Sequence, residues 1–118
     1  MEFRQAMQNL VHFSDRIKDL DREIVRLDVE GQQLLTQSVE NGLIPFEKAD
    51  LIDGQLAKIK QLRGEIVDAE KSVKEAREYL FEHLQPFEGY RVVFEYVSEK
   101  GQKRACQVFV EEDEVRFI

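Results

Sequence analysis

The chain contains 118 residues and has a mass of 13.9 kDa, which is the size of one domain. Its 17 Lys and Arg residues and 24 Asp and Glu residues give a net charge of −7, which disfavours binding to nucleic-acid phosphates or anionic membranes. Apolar residues make up 42% of the chain and charged residues 35%. The apolar fraction is too high for a disordered chain, and the charged fraction is higher than compact enzymes usually have.

Cysteine content and hydropathy bear on the cellular compartment. The single cysteine, Cys106, cannot build a disulfide framework or a multi-thiolate zinc site. The first residues lack the layout of a secretion signal, and no apolar run approaches the roughly 18 residues of a membrane span. We therefore expect a cytoplasmic protein.

From about residue 3 to residue 41, apolar residues recur with alternating spacings of three and four, which predicts one long helix. The repeat consists of Phe3, Ala6, Leu10, Phe13, Ile17, Leu20, Ile24, Leu27, Gly31, Leu34 and Ser38. Asn41 and Gly42 are expected to end this helix, because both residue types tolerate the left-handed conformation.

A second long helix is predicted between the two prolines of the chain. Pro45 suits the first turn of a helix, and Pro86 ends it. The same spacing recurs between them, at Ile52, Gln55, Ile59, Leu62, Ile66, Ala69, Val73, Ala76, Leu80 and His83. Residues 1–86 therefore predict a helical hairpin with its tip near residues 41–46.

The two repeats fit an antiparallel coiled coil, because facing positions have residue numbers that sum to 86. Leu20 then faces Ile66, and large residues face small ones in several layers. One layer pairs Gly31 with Gln55, a gap beside a polar side chain. This layer is either a tolerated defect or a point of local softness or register control.

After Pro86 the apolar period changes from about 3.5 to 2, which predicts a three-stranded antiparallel meander over residues 87–118. The strands are expected at about 90–97, 103–111 and 114–118, and the fold class is α+β. One face should pack on the open end of the hairpin, where the apolar stripe broadens at Met7, Val11, Tyr79, Phe81 and Leu84. That face consists of Tyr90, Val92, Phe94, Tyr96, Cys106, Val108, Val110, Val115 and Phe117.

The opposite face of the predicted sheet is also apolar. It carries Val93, Val97, Phe109 and Ile118, whereas a solvated face should be mostly polar. We expect this face to be an oligomer interface, most simply a homodimer, although a client protein could cover it instead.

No residue pattern indicates catalysis, a cofactor or a metal. The chain has no glycine-rich phosphate-binding loop. Cys106 is expected in the core of the sheet, His83 at a core position of the hairpin, and His12 at the surface. We therefore expect no enzyme, no cofactor and no metal site.

The hairpin tip is the strongest candidate for a binding site. Leu43, Ile44 and Phe46 are large apolar residues, and Glu47 and Asp50 are among the carboxylates around them. In one interpretation Leu43 and Phe46 pack back on the helices and close the hairpin. Their packing partners would be Leu34, Leu35, Val39 and Leu56. In the other they form an apolar, acid-rimmed contact site for a partner protein.

The sequence therefore predicts a non-enzymatic protein–protein interaction module, such as an adaptor, small chaperone or regulator, without membrane or direct nucleic-acid binding. An alternative is an acidic regulator of nucleic-acid machinery, which mimics nucleic acid or inserts its hairpin into a polymerase or nuclease channel. A weaker alternative is a structural subunit of a virion or a secretion assembly.

Overall fold

A computed structural model describes residues 1–118 and confirms the α+β fold. Two long antiparallel helices, α1 (Phe3–Ser38) and α2 (Phe46–Leu84), are followed by a short 3-10 helix at Gln85–Phe87. Three strands complete the fold: β1 (Val92–Val97), β2 (Lys103–Glu111) and β3 (Glu114–Phe117).

The helix ends differ slightly from the predicted ones. Helix α1 ends at Ser38, three residues before the predicted limit, because residues 40–43 form a separate turn. Pro45 directly precedes α2 instead of lying in its first turn. Its carbonyl oxygen accepts the backbone hydrogen bonds of Lys48 and Ala49, at 3.0 and 3.1 Å, as expected of the residue that caps a helix.

The sheet is the predicted antiparallel meander in the order β1-β2-β3. Phe94 pairs with Cys106 and Val110 pairs with Val115. Strand β1 begins at Val92, so the placement of Tyr90 on the packed face was wrong: Tyr90 precedes the strand and is exposed. The chain reverses between β1 and β2 at Gly101, whose φ of 77° favours glycine.

The chain divides into two compact units. We call Met1–Asp15 together with Ala69–Ile118 the sheet unit, and Arg16–Asp68 the hairpin unit. In the sheet unit, one core contains residues from both helices and all three strands. Its buried members are Ala6, Met7, Leu10, Val11, Ala76, Leu80, Leu84, Phe94, Cys106, Val108 and Val115.

A polar contact reinforces the core of the sheet unit at its edge. The guanidinium of Arg77 on α2 donates a hydrogen bond to the backbone carbonyl oxygen of Val115 on β3. Val115 is itself buried, so this bond satisfies a carbonyl group next to the core. The helix and the edge strand are thus joined by both apolar packing and a charge-assisted hydrogen bond.

The sheet unit should be most sensitive to truncation at Leu80, which has no exposed surface. We expect Leu80→Ala to lower the free energy of unfolding by about 2–5 kcal/mol, because it leaves a cavity in a closed core. Leu51→Ala on the same helix is the matched control, since Leu51 is exposed and should change stability by less than about 0.5 kcal/mol. Urea unfolding followed by circular dichroism measures both, and equal losses would contradict this core.

The hairpin unit has a thinner core, in which Leu27, Ile59 and Leu62 are buried. Leu20 and Ile24 pack against them and are half-buried. These residues belong to the predicted seam, in which Leu27 faces Ile59 and Ile24 faces Leu62. A hairpin with so few buried side chains depends strongly on each layer.

The layer of Gly31 and Gln55 forms as the register requires. A Cβ atom on Gly31 would lie 3.0 Å from the Oε1 atom of Gln55, so the two residues are in close contact. The Oε1 atom is buried and accepts no hydrogen bond from another group of the protein. An unsatisfied buried acceptor is destabilising, and a cleft of about 170 Å³ lies beside it.

This unsatisfied oxygen predicts that the natural residue is not the most stable one. We expect Gln55→Leu to raise the free energy of unfolding by about 1–3 kcal/mol, because an apolar side chain removes the unpaired acceptor. Gln61→Leu is the matched control, since Gln61 lies on the same helix and is exposed. Thermal and urea unfolding measure the change, and a loss of stability in Gln55→Leu alone would show that the amide is needed in this layer.

Candidate partner-binding surface at the hairpin tip

A tight turn connects the two helices. The backbone N–H of Glu40 donates to the carbonyl oxygen of Leu43 at 2.9 Å, and the N–H of Leu43 donates back to Glu40 at 2.8 Å. Between them, Asn41 and Gly42 have φ angles of 52° and 75°. This is the two-residue type I′ turn for which Asn-Gly is the favoured sequence. The turn holds the backbone of Leu43 in one conformation.

The apolar side chains at the tip project into solvent. Leu43 is 73% exposed and Phe46 is 82% exposed, whereas Ile44 is half-buried. The interpretation in which Leu43 and Phe46 pack back to close the hairpin was therefore wrong. Of their expected packing partners, Leu34 is half-buried, and the others, Leu35, Val39 and Leu56, are exposed as well.

Acidic side chains surround the apolar ones. Glu40, Glu47, Asp50 and Asp53 are all exposed, and Lys48 is the one basic residue among positions 40–53, which leaves a local charge of −3. None of these carboxylates takes part in a salt bridge of the chain. The tip thus combines exposed apolar area with uncompensated negative charge.

The second predicted contact surface, on the outer face of the sheet, is smaller than expected. Phe109 is only 9% exposed, and the guanidinium of Arg91 lies 4.6 Å above the centre of its ring. Arg91 is held there by a 3.0 Å hydrogen bond to the side chain of Gln107. Val93, Val97 and Ile118 are exposed as expected. Phe109 therefore contributes little free surface to an interface on this face.

The histidines differ from their predicted positions. His83 is exposed and not in the core; its Nδ1 atom lies 2.9 Å from the carbonyl oxygen of Tyr79, and its ring stacks on that of Tyr79. His12 is half-buried, with its ring centre 6.1 Å from that of Tyr96, and its buried Nε2 atom has no hydrogen-bond partner. The structure contains no group of three His, Cys, Asp or Glu side chains placed to hold a metal ion.

Cys106 lies in the core of the sheet unit, as expected. It is a free cysteine and is buried next to Phe94 of the neighbouring strand. Burial raises the pKa of its thiol above the usual value, because the thiolate form would lose its hydration. The side chain therefore acts as a small apolar group at neutral pH.

The burial of Cys106 predicts that its thiol is alkylated slowly. At about pH 8, we expect iodoacetamide to alkylate Cys106 at least about tenfold more slowly in the folded chain than in urea, because access and thiolate fraction are both reduced. Because folding raises the pKa of the Cys106 thiol, the thiol contributes stability that is fully present below the pKa it has in the unfolded chain. This contribution is lost as the pH rises through the raised pKa of the folded chain. Mass spectrometry of the adduct measures the rate. Equal rates in the folded and unfolded chain would contradict the placement in the core.

Comparisons with models of known protein families, with curated proteins and with solved structures find no match to this chain. Neither of the long helices has a stretch apolar enough to cross a lipid bilayer.

Proposed function

We propose that the protein is a non-enzymatic protein–protein interaction module that contacts its partner with the hairpin tip. The observation that carries this proposal is the exposure of Leu43 and Phe46 at a turn with a fixed backbone. Large apolar side chains in such positions cost solubility without stabilising the fold, and they are the residues that supply binding energy when a partner desolvates them.

The chemistry of the tip defines the kind of partner. The carboxylates around Leu43 and Phe46 favour a protein surface that has Lys or Arg side chains around an apolar recess. Desolvated apolar contacts at the centre would provide most of the affinity, and the charged rim would increase the association rate and the specificity. An adaptor, a small chaperone or a regulator fits this description. A cytoplasmic location belongs to the same proposal and is supported by the single free cysteine.

The double variant Leu43→Ala/Phe46→Ala tests the proposal. Both side chains are exposed, so we expect the free energy of unfolding to change by less than about 0.5 kcal/mol. Capture of the partner from cell extract should fall by about 30-fold, which corresponds to the loss of a binding hot spot. Quantitative mass spectrometry of the captured proteins measures this change against the unaltered chain.

Val29→Ala is the matched control, because Val29 is also exposed but lies on α1, outside residues 40–53. It should capture the same partner as the unaltered chain. Equal capture by the tip variant and by this control would refute the role of the tip. Capture of a polymerase or nuclease that depends on Glu47 and Asp50 and not on Leu43 would favour the acidic-regulator alternative.

A further inference from the structure

The hairpin unit has two faces, one on each side of the plane that contains the two helix axes. One face is polar, and the other carries large apolar side chains. In an antiparallel pair, residues that directly precede seam positions share one face, and residues that directly follow them share the other. Arg16 and Glu65 both precede seam residues, and they form a 3.5 Å salt bridge between the helices. Leu35 and Leu56 both follow seam residues, and they line the same cleft.

The face formed by preceding residues is polar and internally paired. Arg26 forms salt bridges with Glu23 and Glu30 along α1. The hydrogen bond from Arg26 lowers the pKa of Glu23, and the charge of Lys58 on the other helix contributes to the lowering. Leu51 is the only large apolar residue at these positions. This face is suited to contact with water.

The face formed by following residues carries five large apolar side chains, and we call it the apolar face. Its large apolar side chains are all exposed, and Val25 and Val67, at 61% and 63%, are the most exposed. The apolar members are Val25, Leu35, Val39, Leu56 and Val67. In the sheet unit, residues that follow seam positions, such as Met7, Val11 and Leu84, are buried beneath the sheet.

The charges on the apolar face are balanced. It carries three basic and three acidic side chains, although the chain as a whole has a net charge of −7. The charged members are Lys18, Asp21, Asp28, Asp53, Lys60 and Arg63. A neutral face with both signs meets a second copy of itself without net repulsion, as a two-fold interface requires.

The area of the apolar face is close to the area that a stable dimer interface needs. Residues 18–38 of α1 extend over about 32 Å, and two helices side by side are about 20 Å wide. The resulting area, on the order of 700 Å², is close to the roughly 800 Å² that each partner contributes to a stable interface.

We propose that a second copy of the chain docks on the apolar face, so that two hairpin units form a four-helix bundle. This places the dimer interface on the helices and not on the outer face of the sheet, where Arg91 already covers Phe109. The contact with the second copy covers Val25 and Val67 and closes the cleft between Leu35 and Leu56.

Sedimentation equilibrium of the full chain, at concentrations up to about 100 µM, tests this proposal. The expected mass is twice that of the 13.9 kDa chain. Val25→Glu and Val67→Glu, one on each helix, should each raise the dissociation constant at least about tenfold. Far-UV circular dichroism checks that helicity is retained, and Val25→Gln replaces the glutamate variant if it is not.

Two matched controls locate the interface. Val29 lies one helical turn after Val25 but outside the apolar face and is 47% exposed, so Val29→Glu should leave the dissociation constant unchanged. Val93→Glu, on the outer face of the sheet, should also leave the dissociation constant unchanged.

A monomer at every concentration would overturn the proposal. So would an equal effect of Val29→Glu, or dissociation by Val93→Glu and not by Val25→Glu. The tip variants test a separate surface, so this proposal can fail without the proposed function failing.

Discussion

The antiparallel seam between the two helices is the constraint on which the other features depend. Its alternating spacing of three and four determines which side of each helix is buried, and the type I′ turn at Asn41 and Gly42 reverses the chain within two residues. Once the register is set, every neighbouring position has a fixed environment. The residues before the seam positions become a polar face with Arg16 and Glu65 paired, and the residues after them become the apolar face.

Much of this architecture could be predicted because the spacing of apolar residues along the sequence indicates the helices and strands. The change from a period of 3.5 to a period of 2 after Pro86 predicts the order of helices and strands, and the Asn-Gly pair identifies the place of the chain reversal. The errors lie where a residue's environment depends on distant parts of the chain. Phe109 occupies an alternating strand position like its exposed neighbours. Its ring lies beneath the guanidinium of Arg91, a residue that directly precedes β1 and is held by Gln107 of β2.

The errors at the helix ends have a related physical cause. A heptad pattern assigns His83 to the seam, but the pattern carries no information about whether the partner helix still covers that position. Near the end of α2 the ring of His83 stacks instead on Tyr79 and remains exposed. At the tip, the pattern likewise allows Leu43 and Phe46 to fold inward. Both side chains are instead exposed, Leu43 at the end of the hydrogen-bonded turn and Phe46 at the start of α2.

The charge distribution gives a reason to assign different partners to the two exposed apolar surfaces. At the tip, residues 40–50, which do not belong to the apolar face, carry a charge of −2, so two copies that met tip to tip would bring like charges together around Leu43 and Phe46. The apolar face has no net charge and offers both signs to its counterpart. Self-association is therefore electrostatically permitted on the face and opposed at the tip. The same carboxylates that oppose a second copy attract a basic surface, which is why we assign the tip to a different protein.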